Sequence, residues 1–252
     1  MINVLLSGCN GQMGQVITKL AQTFAGLTIV AGVDVNQEVS SCYPVFSSLD
    51  EAAGEISFDV IIDFSHPSAF EGMMRYCSQH KTPVVMATTG YSQEQKEKMQ
   101  QYALQFPLFH SANMSLGINL IIELAKKAAK LLEGNFDIEI VERHHNRKVD
   151  APSGTALAIA DEINGVLQEK CEYAFDRTGI REKRRKHEIG MHAVRGGTIV
   201  GEHTVIFAGN DELIEITHAA HSREIFGIGA LKAAVFMYGK APGFYQMGDL
   251  LG

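Results

Sequence analysis

Between Glu142 and Ala160 the chain reads ERHHNRKVDAPSGTALAIA, which brings two histidines, a lysine and a Ser-Gly-Thr turn into one short window. His144, His145 and Lys148 follow a strand-like stretch, and Ser153, Gly154 and Thr155 open a helix-like one, with Pro152 stiffening the turn ahead of it. The first N–H groups of a helix have no partner within it. With hydroxyls beside them they form a receptor for a carboxylate or phosphate. Neighbouring imidazole and ammonium groups can neutralise that anion and also move protons. The expected chemistry is acid–base work on an anionic small molecule. A lone histidine is most often structural, but this many such groups around one helix start are seldom idle.

A second window lies at Gly8-Cys9-Asn10-Gly11-Gln12-Met13-Gly14, between a strand-like and a helix-like stretch. Glycines there let backbone N–H groups approach a pyrophosphate at the positive end of a helix. The spacing is G-x-x-G-x-x-G rather than the commoner G-x-G-x-x-G, so the loop needs support. Asp34 supplies it: it ends the second strand twenty residues beyond Gly14, where an acid holds the hydroxyls of an adenosine ribose. No Lys or Arg occurs between Lys19 and Arg75, so nothing close in sequence greets a 2′-phosphate. NADH is therefore expected as the preferred cofactor, with NADPH possible. MATTG (Met86 to Gly90) and SANMS (Ser111 to Ser115) follow the fourth and fifth strands. Ligands of doubly wound sheets sit at the carboxyl ends of strands, so both stretches should border the nicotinamide and its ribose. His66, in DFSHP, reads as an ordinary loop residue.

Those residues need elements to carry them. INVLLSG, LTIVAGVD, FDVIIDFS, TPVVMATTG and PLFHSAN read as strands, while GQVITKLAQTF, PSAFEGMMRYCSQH and SQEQKEKMQQYALQF carry helical spacing. Ser92 with Gln95 has the form of a capping box. Strands alternating with helices predict a parallel doubly wound sheet. After Asn113 a long helix capped by Ser115 is expected, with Ile121, Leu124, Ala125, Ala128, Leu131 and Leu132 along one face. FDIEIVERHH alternates as a half-buried strand does, and SGTALAIADEINGVLQ is a further helix. GGTIVGEHTVIFAGNDELIEITHAAH reads as strands joined by turns. FGIGALKAAVFMYGK is apolar enough to pack back on the first domain. The expected class is α/β: an N-terminal Rossmann-like doubly wound parallel sheet (1–113 plus 223–252) with a C-terminal α+β substrate-binding and oligomerisation domain (114–222).

Composition narrows the function. With 22 Lys and Arg against 29 Asp and Glu, the net charge of −7 argues against a general nucleic-acid binder. No apolar run reaches the ~18 residues of a membrane span. The N-terminus lacks the basic start and cleavage site of a signal peptide. Four scattered cysteines without a C-x-x-C pair suit a reducing cytoplasm. No metal is expected: H-x-H and H-x-x-x-H spacings with a nearby acid are missing, and adjacent strand residues such as His144 and His145 point to opposite faces. The basic run RTGIREKRRKH is expected to be a solvated loop or exposed strand, with a subunit contact as the other option, and RGGTIVGEH is expected to reach a neighbouring subunit or shape the pocket, with no chemistry assigned to it.

The window at 142–156 closely resembles E-x-H-H-x-x-K-x-D-A-P-S-G-T-A, the signature of the 4-hydroxy-tetrahydrodipicolinate reductase (dihydrodipicolinate reductase) family. GCNGQMG, DFSHP, ATTG, ANMSLGIN, RGGTIVGEH, HAAHSREIFGIGALKAA and GFYQMGDLLG extend the resemblance over essentially the whole chain. It implies reduction of a cyclic dicarboxylate in the diaminopimelate route to lysine. Water is lost to give a conjugated imine, hydride adds at C4, and C3 takes a proton. It implies His144 as proton donor or acceptor, Lys148 as proton donor, His145 on the substrate, and Gly154 with Thr155, beside Ser153, on a carboxylate. The cofactor would lie along Gly8, Cys9, Asn10, Gly11, Gln12 and Met13, with Asp34 on the ribose. Ala87, Thr88 and Thr89, together with Ser111, Ala112, Asn113 and Met114, would line its nicotinamide end, with Arg223 and Phe226 near it. A homotetramer built through the second domain is also implied. Met114 stands where many relatives carry an aromatic residue, and the Arg after the ribose acid of some NADPH-using relatives is missing. Another two-domain dehydrogenase would share the glycine loop without reason to keep His-His-Lys beside Ser-Gly-Thr. A DNA-binding redox sensor would need a basic helix-turn-helix, and none is visible.

Overall fold

The computed structural model describes residues 1–37, 42–179 and 181–252. Residues 38–41, within the stretch after Asp34 that carries no basic residue, and Ile180 of the basic run lie outside the described residues. The chain divides into two compact units, Met1–Leu116 with Arg223–Gly252, and Gly117–Ser222.

The first unit holds strands β1 (Ile2–Ser7), β2 (Leu27–Val33), β3 (Val45–Phe46), β4 (Val60–Asp63), β5 (Val84–Met86), β6 (Pro107–His110) and β12 (Gly243–Tyr245). They form one sheet in the order β12-β6-β5-β4-β1-β2-β3, every pairing parallel. A parallel sheet is covered on both faces, which explains why its strands are continuous apolar runs rather than alternating ones. Successive residues still point to opposite sides. Val4 and Leu6 enter a core built with Ile17 of α1 (Gln12–Ala21) and Ala230, Leu231, Ala234 and Met237 of α7 (Glu224–Met237). Leu5 and Ile61 enter the opposite core, with Phe70, Met74 and Cys77 of α3 (Phe70–His80) and Met99 of α4 (Gln93–Tyr102).

The return helix α7 is apolar nearly all round, which is the pattern of a helix buried on most sides. It lies close enough that a Cβ on Gly229 would sit 1.7 Å from the Met114 carbonyl oxygen. Burial of each large apolar side chain here contributes roughly 1.5–3 kcal/mol. Ser92 and Gln95 form the expected reciprocal cap on α4. The reading from sequence passed over β3, α2 (Leu49–Glu55) and β12. Two- and three-residue strands are too short for periodicity to register, and their place comes from edge pairing alone.

The second unit is a mixed sheet, β11-β10-β7-β9-β8, made of β7 (Asp137–His144), β8 (Glu172–Ala174), β9 (Glu188–Arg195), β10 (Gly201–Ala208) and β11 (Leu213–Ala220). Helices α5 (Leu116–Leu132) and α6 (Gly154–Val166) cover one face. Ile121, Ala125, Ile159 and Ile163 pack there on Ile138, Ile140, Ile189, Val205 and Phe207. The opposite face is polar, and there the basic run departs from its expected solvated role. Arg184 bonds Asp137 at 2.8 Å and Glu139 at 3.0 Å, while Arg177 pairs with Glu139 and Glu188. The outward acids of β7 at alternate positions supply the counterions. Gly190 leaves room for the Glu139 carboxylate, which would meet a Cβ there at 1.6 Å. Burial alone would raise the Glu139 pKa, but His192, Arg184 and Arg177 hold it below the ordinary value. Among the described residues, no helix is long and apolar enough to cross a membrane.

Candidate active site

The loop from Gly8 to Gly14 leaves the carboxyl end of β1 at the point where strand order reverses, between β1's neighbours β4 and β2. That reversal opens a crevice in doubly wound sheets. Gly8 has φ +76°, and a Cβ on it would stand 2.4 Å from the Phe64 carbonyl oxygen. A Cβ on Gly14 would stand 2.2 Å from Gly8 O and 2.4 Å from Cys9 O. These are backbone atoms that cannot swing aside. Helix α1 begins with Gly11 at its N-cap and no side-chain cap, which suits a phosphate. Gly14→Ala is expected to cost about 1–3 kcal/mol of stability by overpacking and to weaken nucleotide binding about tenfold. Thermal melts and fluorescence titration with NADH check this, and unchanged affinity would show that loop geometry does not govern binding.

Asp34 is held against this loop: Oδ2 accepts from the Asn10 N–H and Oδ1 from the Asn36 N–H, each at 2.9 Å. Each oxygen keeps a lone pair for a ribose hydroxyl. Arg223 arrives from the far end of the sequence and donates to Gln12 Oε1 at 2.8 Å, so the structure brings these two candidates together. Phe226, in the first turn of α7, is partly buried against the apolar core. Cys9, Ala87, Thr88 and Met114 can serve a nucleotide only through their backbone. The side chains of Cys9 and Met114 are both buried in the core, and burial, with Asp34 nearby, pushes the Cys9 thiol up to about 11.

Asp63, to which the sequence assigns no role beyond the end of a strand, organises the strand ends. Its buried carboxylate accepts from Ser65 Oγ at 2.6 Å, Thr88 Oγ1 at 2.8 Å and the Tyr91 hydroxyl at 3.2 Å. It thereby anchors the Ala87-Thr88-Thr89 stretch, and its backbone oxygen accepts from Ala87 N–H at 3.0 Å. An acid closing the apolar run Val60-Ile61-Ile62 was the available signal. Ser111 Oγ accepts from Asn113 N–H, and Asn113 Oδ1 from Ser115 N–H at 2.9 Å, which makes the Ser111–Asn113 turn self-supporting around Ala112. His66 caps a short 3-10 turn, accepting from Ser68 N–H.

In the second unit, β7 turns Ile138, Ile140, Glu142 and His144 to the buried side. Glu142 is fully buried. Its Oε2 lies 2.6 Å from His144 Nδ1, and Arg195 grips both oxygens at 2.7 and 2.6 Å. Burial alone would raise the Glu142 pKa, but Arg195, His144 and the Ser153 N–H outweigh it and hold the group below its usual value. His203 stacks edge-on to His144 with ring centroids 5.2 Å apart. Burial, with His144, His218 and Lys148 nearby and only Glu142 opposing, takes His203 down to about 4, so its ring is neutral.

Ser153, expected beside the substrate carboxylate, is also tied into the protein. Its N–H donates to Glu142 Oε1 at 2.9 Å, and its Oγ accepts from Ala156 N–H as the cap of α6 and meets His203 Nε2 at 3.0 Å. Its polar atoms already serve the protein. Gly154, by contrast, is exposed at the start of α6 with no atom within 4 Å of where a Cβ would be. Thr155, next to it in sequence, and His145 are half-buried. Lys148 pairs with Asp150 at 2.9 Å. Glu142, Arg195 and His203 are thus the site residues that sequence reasoning missed. The first was legible as an acid on the apolar face of an alternating strand. The other two begin and end RGGTIVGEH, a stretch that carries the family resemblance but was assigned no chemistry.

A glycine loop at the switch point of a parallel sheet, joined to a mixed-sheet unit, defines the nucleotide-dependent oxidoreductase class of fold. A myo-inositol dehydrogenase from Corynebacterium glutamicum shares that fold alone, at 16% identity with a TM-score of 0.61 over 100% of this chain and 92% of that one. The particular family follows from closer matches. Profiles described as dihydrodipicolinate reductase, N-terminus and C-terminus, match residues 2–114 and 117–251. The chain is 55% identical over 251 residues to the 4-hydroxy-tetrahydrodipicolinate reductase of Caldanaerobacter subterraneus subsp. tengcongensis, covering 100% of this chain and 98% of that protein. It also resembles the dipicolinate-bound dihydrodipicolinate reductase of Paenisporosarcina sp. TG-14, with 26% identity and a TM-score of 0.82 over 98% and 97% of the two chains. This chain belongs to the dihydrodipicolinate reductase family, whose members are NAD(P)H-dependent reductases.

Proposed function

We propose that this chain reduces 4-hydroxy-tetrahydrodipicolinate to tetrahydrodipicolinate in lysine biosynthesis, the activity for which its full-length relatives are named. The observation that carries the proposal is the combination, within one unit, of a buried imidazole, a lysine ammonium and the start of α6 at Gly154, where one carboxylate, that of Asp150, already draws both Lys148 and the Gly154 N–H. The first unit binds the nucleotide along Gly8 to Met13, with Asp34 on the ribose, and the backbones of Ala87–Thr89 and Ser111–Met114, with the exposed Thr89 hydroxyl, border its nicotinamide end. Arg223, fixed on Gln12, and Phe226 complete that side. When bound, the reduced nicotinamide supplies a hydride to C4 of the substrate. The Gly154 N–H and Thr155 hold a substrate carboxylate, and His145 contacts the ring. Lys148 delivers a proton to C3, and His144 exchanges protons with the substrate as water leaves. Purified protein, given the condensation product made in situ by the preceding synthase, should consume the near-ultraviolet absorbance of NADH. Absence of turnover with both NADH and NADPH overturns the reading.

NADH is the preferred donor in this proposal, since no basic residue lies between Lys19 and Arg75 to neutralise a 2′-phosphate. Asp34→Ala is expected to weaken NADH about tenfold, as loss of charge-assisted hydrogen bonds does, and NADPH by less. Titration with each nucleotide checks this, and equal losses would mean that the acid serves only to hold Asn10. The second unit carries the contacts of a homotetramer, supported by its exposed apolar Val194, Leu213 and Ile214. The free thiols of Cys9, Cys42, Cys77 and Cys171 suit the reducing cytoplasm proposed as its location.

A further inference from the structure

Glu142 and Arg195 lie 53 residues apart in sequence and meet through the pairing of β7 with β9, which sets Arg195 opposite His144. The Glu142 carboxylate receives three donors and turns its fourth position to His144. Oε2 takes Arg195 Nη1 at 2.7 Å and faces His144 Nδ1 at 2.6 Å. Oε1 takes Arg195 Nη2 at 2.6 Å and the Ser153 N–H at 2.9 Å. A carboxylate has about four lone-pair sites; Arg195 and the Ser153 N–H fill three of them and hold the group ionised, and the fourth is aimed at Nδ1. Arg195 is itself fixed, donating to Asp150 O at 2.6 Å and Val194 O at 2.8 Å. A buried carboxylate anchored in this way is a permanent acceptor, so the hydrogen between it and His144 must reside on Nδ1. The free lone pair of a neutral His144 then falls on Nε2, which faces the space left by Gly201, where a Cβ would come within 3.0 Å.

We infer that Glu142 is a positioning residue of the reaction: clamped by Arg195, it fixes His144 in the tautomer and orientation that present Nε2 to the substrate. This rests on the proposal that His144 exchanges protons with the substrate, and it extends that proposal to residues that touch neither substrate nor nucleotide. The logic is that of a histidine base oriented by a buried acid. Here a guanidinium fork prevents the acid from becoming the proton's resting place.

The test has two arms. Nitrogen NMR on the wild-type protein is expected to show neutral His144 protonated on Nδ1 and bare on Nε2, and the opposite tautomer overturns the inference. In Glu142→Gln, which keeps the shape but loses the charge, kcat is expected to fall between about 10- and 100-fold. KM and NADH affinity should stay within about twofold, and His144 should populate both tautomers. Wild-type kcat in a folded Glu142→Gln protein also overturns it. If that variant does not fold, the wild-type tautomer decides alone. Activity of a His144→Asn variant separates the two levels. Full activity there rejects the role of His144, whereas a lost activity beside an intact Glu142→Gln enzyme rejects only the positioning role.

Discussion

Replacing Lys148 by alanine is expected to lower turnover by about 10²-fold or more while leaving nucleotide affinity within about twofold. In the proposed reaction the ammonium group supplies the proton that C3 takes up after hydride arrives, a contribution made in the transition state rather than in nucleotide binding. The structure makes the experiment clean. Lys148 pairs with Asp150, whose side chain is 56% exposed, so its removal leaves that acid to water and costs little stability. Arginine should not rescue the variant: it keeps the positive charge but does not give up its proton at ordinary pH. Steady-state kinetics with both nucleotides, alongside NADH titration, give the measurement. Unchanged turnover would remove Lys148 from the mechanism.

His144→Asn is expected to be more damaging, with kcat falling about 10³-fold. The choice of asparagine follows from the geometry. Its amide nitrogen lies near the position of Nδ1, so it can still donate to the Glu142 carboxylate that His144 now meets at 2.6 Å. That avoids leaving a buried acceptor short of a donor, which would cost about 1–3 kcal/mol and confuse chemistry with folding. The group lost is Nε2, the atom placed to exchange the proton. A melting temperature within a few degrees of wild type, with turnover nearly abolished, is the expected pair of results. A variant that folds and turns over normally would show that the imidazole is not a proton carrier in this reaction.

The relation between these predictions and the fold explains where local reading stops. The glycine loop, Asp34 and the window from Glu142 to Thr155 were visible because each is a short pattern whose chemistry depends on immediate neighbours. The parallel sheet was visible for a similar reason: apolar runs such as Val60-Ile61-Ile62 and Val84-Val85-Met86 can be buried on both faces only between layers of helices. Local pattern says less about side chains whose surroundings come from elsewhere in the fold. Cys9 and Met114 lie in loops expected to touch a nucleotide, yet their side chains turn into the core. Ser153 has a hydroxyl suited to an anion, yet the cap of α6 and His203 already use it. Arg177 and Arg184 read as solvated charges until the acids of β7 appear beside them.

By itself the sequence determined which faces are apolar, where the chain turns, and which residues could carry protons or bind an anion. Those properties repeat with the period of a helix or strand and need only a few neighbouring residues. Tertiary structure alone decided who meets whom: Arg195 on Glu142 across 53 residues, Arg223 on Gln12 across 211, and Thr88 and Tyr91 on Asp63 across 25 and 28. Those meetings depend on strand order and register, which the packing of the whole chain selects and no short stretch encodes.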